Sequence, residues 1–84
     1  MGKLSVILPA YNEEKMIGKA ASVIGRILGD AGISYELVFV DDGSKDSTWQ
    51  EIQITAEREK GIVGVHFSRN FGKEAAILAG LANA

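Results

Sequence analysis

Three short apolar segments, each followed by a polar cluster and then by a helix-like segment, limit how this chain can fold. The apolar segments span residues 4–8, 35–40 and 62–67 and are rich in β-branched side chains, as buried parallel strands are. Strands that alternate with helices at this spacing favour a parallel sheet with right-handed crossovers. The sequence therefore predicts an α/β fold of order βαβαβα.

The helix-like segments show apolar residues at helical spacing and recognisable ends. Asn12 is predicted to cap the first helix, with Glu13 and Glu14 in its first turn, where the helix dipole favours negative charge. Its apolar face consists of Ile17, Ala20, Ala21, Ile24, Ile27 and Leu28. The second helix is predicted over residues 47–60, capped by Asp46 or Ser47, with Trp49, Ile52 and Ala56 inward. The third is predicted over residues 74–82.

Composition excludes several classes of function. The net charge is −2 and no basic block stands out, so nucleic acid is not an expected partner. Cysteine is absent, which excludes disulfides and thiolate metal sites. The apolar segment at residues 4–8 is too short for a signal-peptide core, so a cytoplasmic location is expected.

Two features indicate a piece of a larger fold. The last helix is apolar around most of its circumference, as in a helix that is covered on several sides. The first strand would normally lie in the middle of such a sheet, so one of its edges is expected to be bare in a chain of 84 residues. We therefore expect residues 1–84 to be the N-terminal part of a longer domain. The alternative is a natural mini-domain that self-associates through the exposed strand edge or the apolar last helix.

Polar clusters follow all three predicted strands. The clusters are residues 9–13, 41–44 and 68–73. In an open parallel sheet, ligands bind beyond the carboxyl ends of the strands, which lie on one edge. The sequence therefore predicts a binding site at that edge.

The acids of the second cluster fit a nucleoside. A carboxylate accepts hydrogen bonds, so Asp42 would suit the N–H groups of uracil or guanine and ribose hydroxyls better than the N1 acceptor of adenine. Asp41 is expected to brace the loop, and Tyr11 to stack on the base. The alternative is a simple turn and cap, since Asp and Gly dominate turns.

Other polar residues have two interpretations as well. Pro9 can terminate a strand and Glu13 can serve a helix start without any ligand. Arg69 and Lys73 could meet a diphosphate or form a solvated surface pair. His66 is expected to be a packing or edge histidine without a partner, and Trp49 a core residue.

Familiar phosphate-binding signatures are missing. The sequence has no GxGxxG after the first strand and no GxxxxGK[ST] motif, which argues against a dinucleotide dehydrogenase and a P-loop protein. The loop "DDGSKDST" lacks the spacing of an EF-hand.

With "VILPAYNEE", "VDDGSKDST" and "SRNFGKEAAILAGL" in this order, the whole chain resembles the family 2 glycosyltransferases of GT-A fold. It is most similar to the branch that transfers sugar from a nucleotide donor to a polyprenyl phosphate, which includes dolichol-phosphate mannose synthase and bactoprenol glucosyltransferase. The resemblance implies a three-layer, Rossmann-like parallel sheet that forms the N-terminal half of a GT-A fold.

The resemblance also implies which residues contact the donor. They are Pro9, Ala10, Tyr11 and Glu13 on the first strand end, Val40 and Asp42 on the second, and Arg69 and Lys73 in the third cluster. The complete enzyme is expected to use Mg²⁺ or Mn²⁺ and to transfer a hexose or N-acetylhexosamine from a UDP- or GDP-sugar to a lipid phosphate at the cytoplasmic face of a membrane.

This chain lacks the motifs of the family that hold the metal ion and catalyse the transfer. The Asp-x-Asp metal motif and the later acidic catalytic residues are absent, so no catalytic residue and no metal ligand is expected within residues 1–84. A pyrophosphate leaving group needs charge stabilisation. We therefore expect this chain alone to bind no metal and to transfer no sugar. One rival hypothesis is a non-catalytic nucleotide-binding or assembly module. Another is a nucleotidyltransferase, but such an enzyme would normally have a Gly-rich loop with a basic residue after the first strand, and "PAYNEEK" has no glycine.

Overall fold

A computed structural model describes residues 3–68, 72–82 and 84, and confirms the predicted βαβαβα order. The elements are β1 (Leu4–Ala10), α1 (Ile17–Asp30), β2 (Tyr35–Asp42), α2 (Thr48–Arg58), β3 (Ile62–Phe67) and α3 (Lys73–Ala82). The bounds of β3 are those predicted, and α3 begins one residue earlier than predicted.

The three strands form one parallel sheet in the order β1-β2-β3. Strand β2 is central, and its last six residues are all buried. Strand β1 pairs with β2 on one side, so among the described residues it lies at an edge of the sheet rather than in its middle. Pro9 has no N–H group to donate, and an edge strand tolerates this.

Helices cover both faces of the sheet, which gives the predicted three layers. Helices α1 and α2 pack on one face, around a core of Ala10, Ile17, Ala21, Leu37, Phe39 and Ile52. Helix α3 packs on the other face against β1 and β2, around Val38, Val40 and Ala76. Both clusters share the central strand, whose side chains alternate between the two faces.

Strands β1 and β2 each extend two residues beyond their predicted ends. The extension adds the pairs between Pro9 and Val40 and between Ala10 and Asp41. It brings residues that were predicted to lie in polar loops into the sheet, because the ladder continues as long as backbone partners are available.

Several helix predictions are wrong. Helix α1 begins at Ile17 with Met16 as its N-cap residue, and its first turn contains no acid, so Asn12 is not its cap. Ile27 was predicted to face inward but is 61 % exposed, because no element packs on that side of α1 among the described residues. In α2, Ala56 is exposed and Thr55 is buried instead. Ser47 occupies the predicted N-cap position of α2 without a side-chain cap hydrogen bond, while the neighbouring Asp46 accepts the N–H of Thr48.

Helix α3 is only partly covered. Ala76 is buried, whereas Ile77, Leu78 and Leu81 are exposed on the side that faces away from the sheet. Within the described residues, no helix combines the length and the apolar character that crossing a membrane requires.

Candidate functional site

The carboxyl ends of the three strands meet on one edge of the sheet, as predicted. Asp41 of β2 pairs with Ala10 of β1 on one side and with His66 of β3 on the other. The loops that follow are the first loop (residues 11–16), the second loop (residues 43–47) and the third loop (residues 68–72). Arg69 and the side chain of Lys73, both predicted to contact the donor, lie outside the described residues.

The first loop is fastened to the second by its own backbone. Three consecutive N–H groups each donate to a polar side chain of the second loop or of the first residue of α2. The pairs are Asn12 N to Ser44 Oγ at 2.8 Å, Glu13 N to Thr48 Oγ1 at 2.8 Å and Glu14 N to Asp46 Oδ2 at 3.3 Å. Without these side chains, the three N–H groups would need water or a helix-capping side chain as acceptor.

Asn12 completes this connection in the opposite direction. Its Oδ1 accepts the backbone N–H of Lys45 at 2.8 Å, and its φ is 52°, in the left-handed region. Asparagine tolerates that region better than other residues with a Cβ atom. The side chain therefore joins two loops that are 33 positions apart in sequence, and it is not available to cap α1.

Two replacements of Asn12 should separate its hydrogen bond from its backbone conformation. Asn12→Gly removes the bond to Lys45 but keeps a residue that adopts the left-handed region readily, and it should cost about 1 kcal/mol of unfolding free energy. Asn12→Ala removes the same bond and places in that region a residue that adopts it less readily than asparagine, which adds about 1 kcal/mol. Urea unfolding of the three chains should show this order, and equal stability of the two variants would contradict the strain argument.

Asp46 anchors the second loop to both neighbours. Its Oδ1 accepts the N–H of Thr48 at 2.9 Å, and its Oδ2 accepts that of Glu14. Partial removal of the carboxylate from water raises its pKa, but the hydrogen bonds from Thr48 and Glu14 together lower it by more, so the pKa lies below its ordinary value of 3.8. The anchor is therefore charged at neutral pH, and it weakens as the pH falls through that lowered pKa.

Asp41 braces the second loop, as predicted. Its side chain is fully buried, and its Oδ1 accepts the N–H of Ser44 at 3.0 Å. Its Oδ2 lies 3.3 Å from Nε2 of His66, whose ring stacks on Trp49 with the centroids 4.6 Å apart. The prediction that His66 packs is confirmed, and the prediction that it has no partner is wrong.

Asp42 connects the end of β2 to the third loop. Its side chain is 4 % exposed, and its Oδ2 accepts the N–H of Gly72 at 3.1 Å. A carboxylate has about four acceptor positions in all. The arrangement places a buried anionic acceptor beside the chain segment that carries Lys73.

The remaining predicted site residues differ in their exposure. Val40 and Ala10 are buried in the sheet, and Pro9 is half-buried. Tyr11 is 40 % exposed at the end of β1, and Glu13 is exposed in the first loop. Tyr11 is thus open to solvent, whereas Ala10 and Val40 belong to the two hydrophobic clusters on opposite faces of the sheet.

A shallow pocket lies at the first loop, and no metal centre is found among the described residues. The pocket has a volume of about 290 Å³ and is lined by residues 12–16 and Asp46. Among these described residues, no three His, Asp or Glu side chains come together as metal ligands. The Mg²⁺ or Mn²⁺ expected of the complete enzyme therefore has no ligand set among the described residues.

Comparison with known proteins gives a family and several relatives. Residues 5–84 match the family model described as glycosyl transferase family 2. The undecaprenyl-phosphate 4-deoxy-4-formamido-L-arabinose transferase of Pseudomonas aeruginosa (strain LESB58) is 40 % identical over 78 residues, which are 92 % of this chain and 23 % of that protein.

Two further relatives match the chain with similar identity and coverage. The prophage bactoprenol glucosyl transferase homolog of Escherichia coli (strain K12) is 38 % identical over 82 residues, which are 98 % of this chain and 27 % of the relative. A protein of Bacillus subtilis (strain 168) that bears the name putative glycosyltransferase CsbB is 40 % identical over 79 residues, or 94 % of this chain and 24 % of the relative. The chain thus spans about a quarter of the length of the curated relatives that it matches.

Proposed function

This chain belongs to glycosyl transferase family 2, and from that premise we propose that it binds the nucleotide of an activated sugar donor. The resemblance read from its three motifs, including the polyprenyl-phosphate branch named in two relatives, is confirmed. The enzyme to which this segment contributes would transfer a hexose or N-acetylhexosamine from a UDP- or GDP-sugar to a polyprenyl phosphate. It would act at the cytoplasmic face of a membrane.

The observation that carries this proposal is the interlocked pair of loops at the carboxyl edge of the sheet. Tyr11 and Asp42 directly follow Ala10 and Asp41, which pair with each other in adjacent strands. The hydrogen bonds between the first and second loops hold these two strand ends in a fixed relation. Loops that are fixed before a ligand arrives lose less entropy on binding it.

The chemistry of these residues favours a base with N–H donors. The Asp42 carboxylate can accept from uracil or guanine N–H groups and from ribose hydroxyls, while the adenine ring presents an acceptor at N1. The exposed ring of Tyr11 provides a stacking surface. Pro9, Ala10, Glu13 and Val40 complete the nucleoside side of the proposed site, and Arg69 and Lys73 would meet the diphosphate.

Calorimetric titration of this chain with UDP, GDP and ADP tests the proposal. We expect UDP or GDP to bind, and ADP to bind more weakly, because of the acceptor at position 42. Equal binding of all three would contradict the role of the carboxylate. Absence of binding to a chain that is folded by circular dichroism would contradict the proposed function and favour a non-catalytic assembly module.

The same chain should transfer no sugar by itself. A single-turnover assay with a radiolabelled UDP- or GDP-sugar and undecaprenyl phosphate checks this expectation. Any labelled lipid product would show that residues 1–84 contain the groups needed for chemistry.

A further inference from the structure

A buried carboxylate at the candidate site, that of Asp41, has one oxygen with an incomplete set of partners among the described residues. Asp41 is fully buried, and its Oδ1 accepts from Ser44. Its Oδ2 lacks a hydrogen bond of standard geometry among the described residues, and it lies 3.3 Å from Nε2 of His66. Buried polar atoms ordinarily have a partner, and the His66 imidazole is the described group that lies next to this oxygen.

The imidazole is held in place from a second element. Its ring stacks on Trp49 of α2 with an interplanar angle of 16° and a centroid distance of 4.6 Å. The register of β2 and β3 places His66 directly beside Asp41. The side chain of His66 is therefore oriented by both a strand and a helix, although it is 43 % exposed.

Further contacts extend from this pair to the first loop. Ser44, which donates its N–H to Asp41, accepts the N–H of Asn12 through its Oγ at 2.8 Å. Contacts thus run from β3 through β2 and the second loop to the first loop. The residues that we assign to the nucleoside, Tyr11 and Asp42, are direct neighbours of Asn12 and Asp41 in sequence.

We propose that His66 is a positioning residue for nucleotide binding, acting through Asp41 on the second and first loops. The expected effect on nucleotide affinity rests on the proposed function, because it requires that the chain binds a nucleotide. By engaging Oδ2, His66 keeps the Asp41 carboxylate in the orientation in which Oδ1 receives the Ser44 N–H. Without that contact the carboxylate can turn, and the loops lose the brace that sets the distance between Tyr11 and Asp42.

A matched pair of variants isolates this contact. In His66→Gln the side-chain amide reaches the position of Nε2, whereas in His66→Asn the same amide is one methylene shorter and reaches only the position of Nδ1. Both variants lose the aromatic stack on Trp49. A difference between them therefore reports the contact with Asp41 and not the packing.

Amide hydrogen exchange measured by NMR gives the first readout. We expect the N–H groups of Ser44 and Asn12 to exchange roughly tenfold faster in His66→Asn than in His66→Gln, a difference of about 1.4 kcal/mol. The N–H of Val38, in the middle of β2, should exchange alike in both. Equal exchange of Ser44 and Asn12 in the two variants overturns the inference.

Nucleotide affinity gives the second readout and separates the two proposals. UDP or GDP should bind roughly tenfold more weakly to His66→Asn than to the unaltered chain, and His66→Gln should restore affinity to within about threefold. If the two variants bind with equal affinity, His66 does not position the site. If exchange differs between the variants but the unaltered chain binds neither nucleotide, the brace stands and the proposed function fails.

Discussion

Replacing Asp42 with asparagine is expected to weaken binding of UDP or GDP by roughly ten- to a hundredfold. The estimate follows from the loss of one hydrogen bond to a charged acceptor, worth about 1.5–3 kcal/mol. Asparagine has the same shape as aspartate, and its carbonyl can still accept the N–H of Gly72. The fold should therefore survive while the negative charge of the proposed site is lost.

The control for this experiment is Asp30→Asn. Asp30 is exposed at the last position of α1, and its replacement changes the net charge by the same amount. Calorimetry should show unchanged nucleotide affinity for Asp30→Asn, and thermal melting should show that both variants fold. If Asp42→Asn binds UDP and GDP as tightly as the unaltered chain, the carboxylate does not contact the nucleoside, and the assignment of position 42 is wrong.

The order of elements and the edge that carries the site were predictable from the sequence. Both depend on local patterns, namely apolar runs of strand length, helical spacing and Gly or Asp at the turns. Residues 62–67 are an example of a strand whose limits were predictable. Gly61 precedes this apolar segment and the polar Ser68 follows it, and β3 has the same limits. Parallel pairing then brings the strand ends together without any knowledge of side-chain contacts.

The role of Asn12 was not predictable in the same way. An asparagine before two acids and an apolar periodic segment has the pattern of a helix cap. Its actual partners are Ser44 and Lys45, which are 32 and 33 positions away and become neighbours only when β1 and β2 are aligned. A rule based on local sequence does not include such a distant contact, and α1 begins four residues later than it would with Asn12 as its cap.

His66 and Ile27 illustrate two other limits. The partner of His66 follows from the register of β2 and β3, which periodicity does not fix. Ile27 satisfies helical spacing but is exposed, because burial requires an opposing element and the described residues provide none there. Sequence patterns thus predict which side chains are able to be buried, while the tertiary neighbours decide which ones are.

Replacing Gly80 with alanine is expected to lower the stability of the chain more than the other substitutions considered. It is buried in α3, and a Cβ atom placed there would lie 2.5 Å from Cγ2 of Ile7 and 3.2 Å from Cγ2 of Val40. Alanine favours a helix over glycine by about 1 kcal/mol, but overpacking against two branched side chains costs about 1–3 kcal/mol. Because α3 must move away from the sheet, we expect Gly80→Ala to lower Tm by roughly 5–10 °C, as measured by circular dichroism.

Two further chains decide whether the clash is the cause. Gly29→Ala adds the same methyl group to α1, where no atom lies within 4 Å, and should stabilise the chain by about 0.5–1 kcal/mol. In an Ile7→Ala background the obstructing Cγ2 is absent, so adding Gly80→Ala should lose most of its cost. A double-mutant cycle on unfolding free energies measures that coupling. Additive costs of Ile7→Ala and Gly80→Ala would mean that the close approach of α3 to β1 is not what requires glycine at this position.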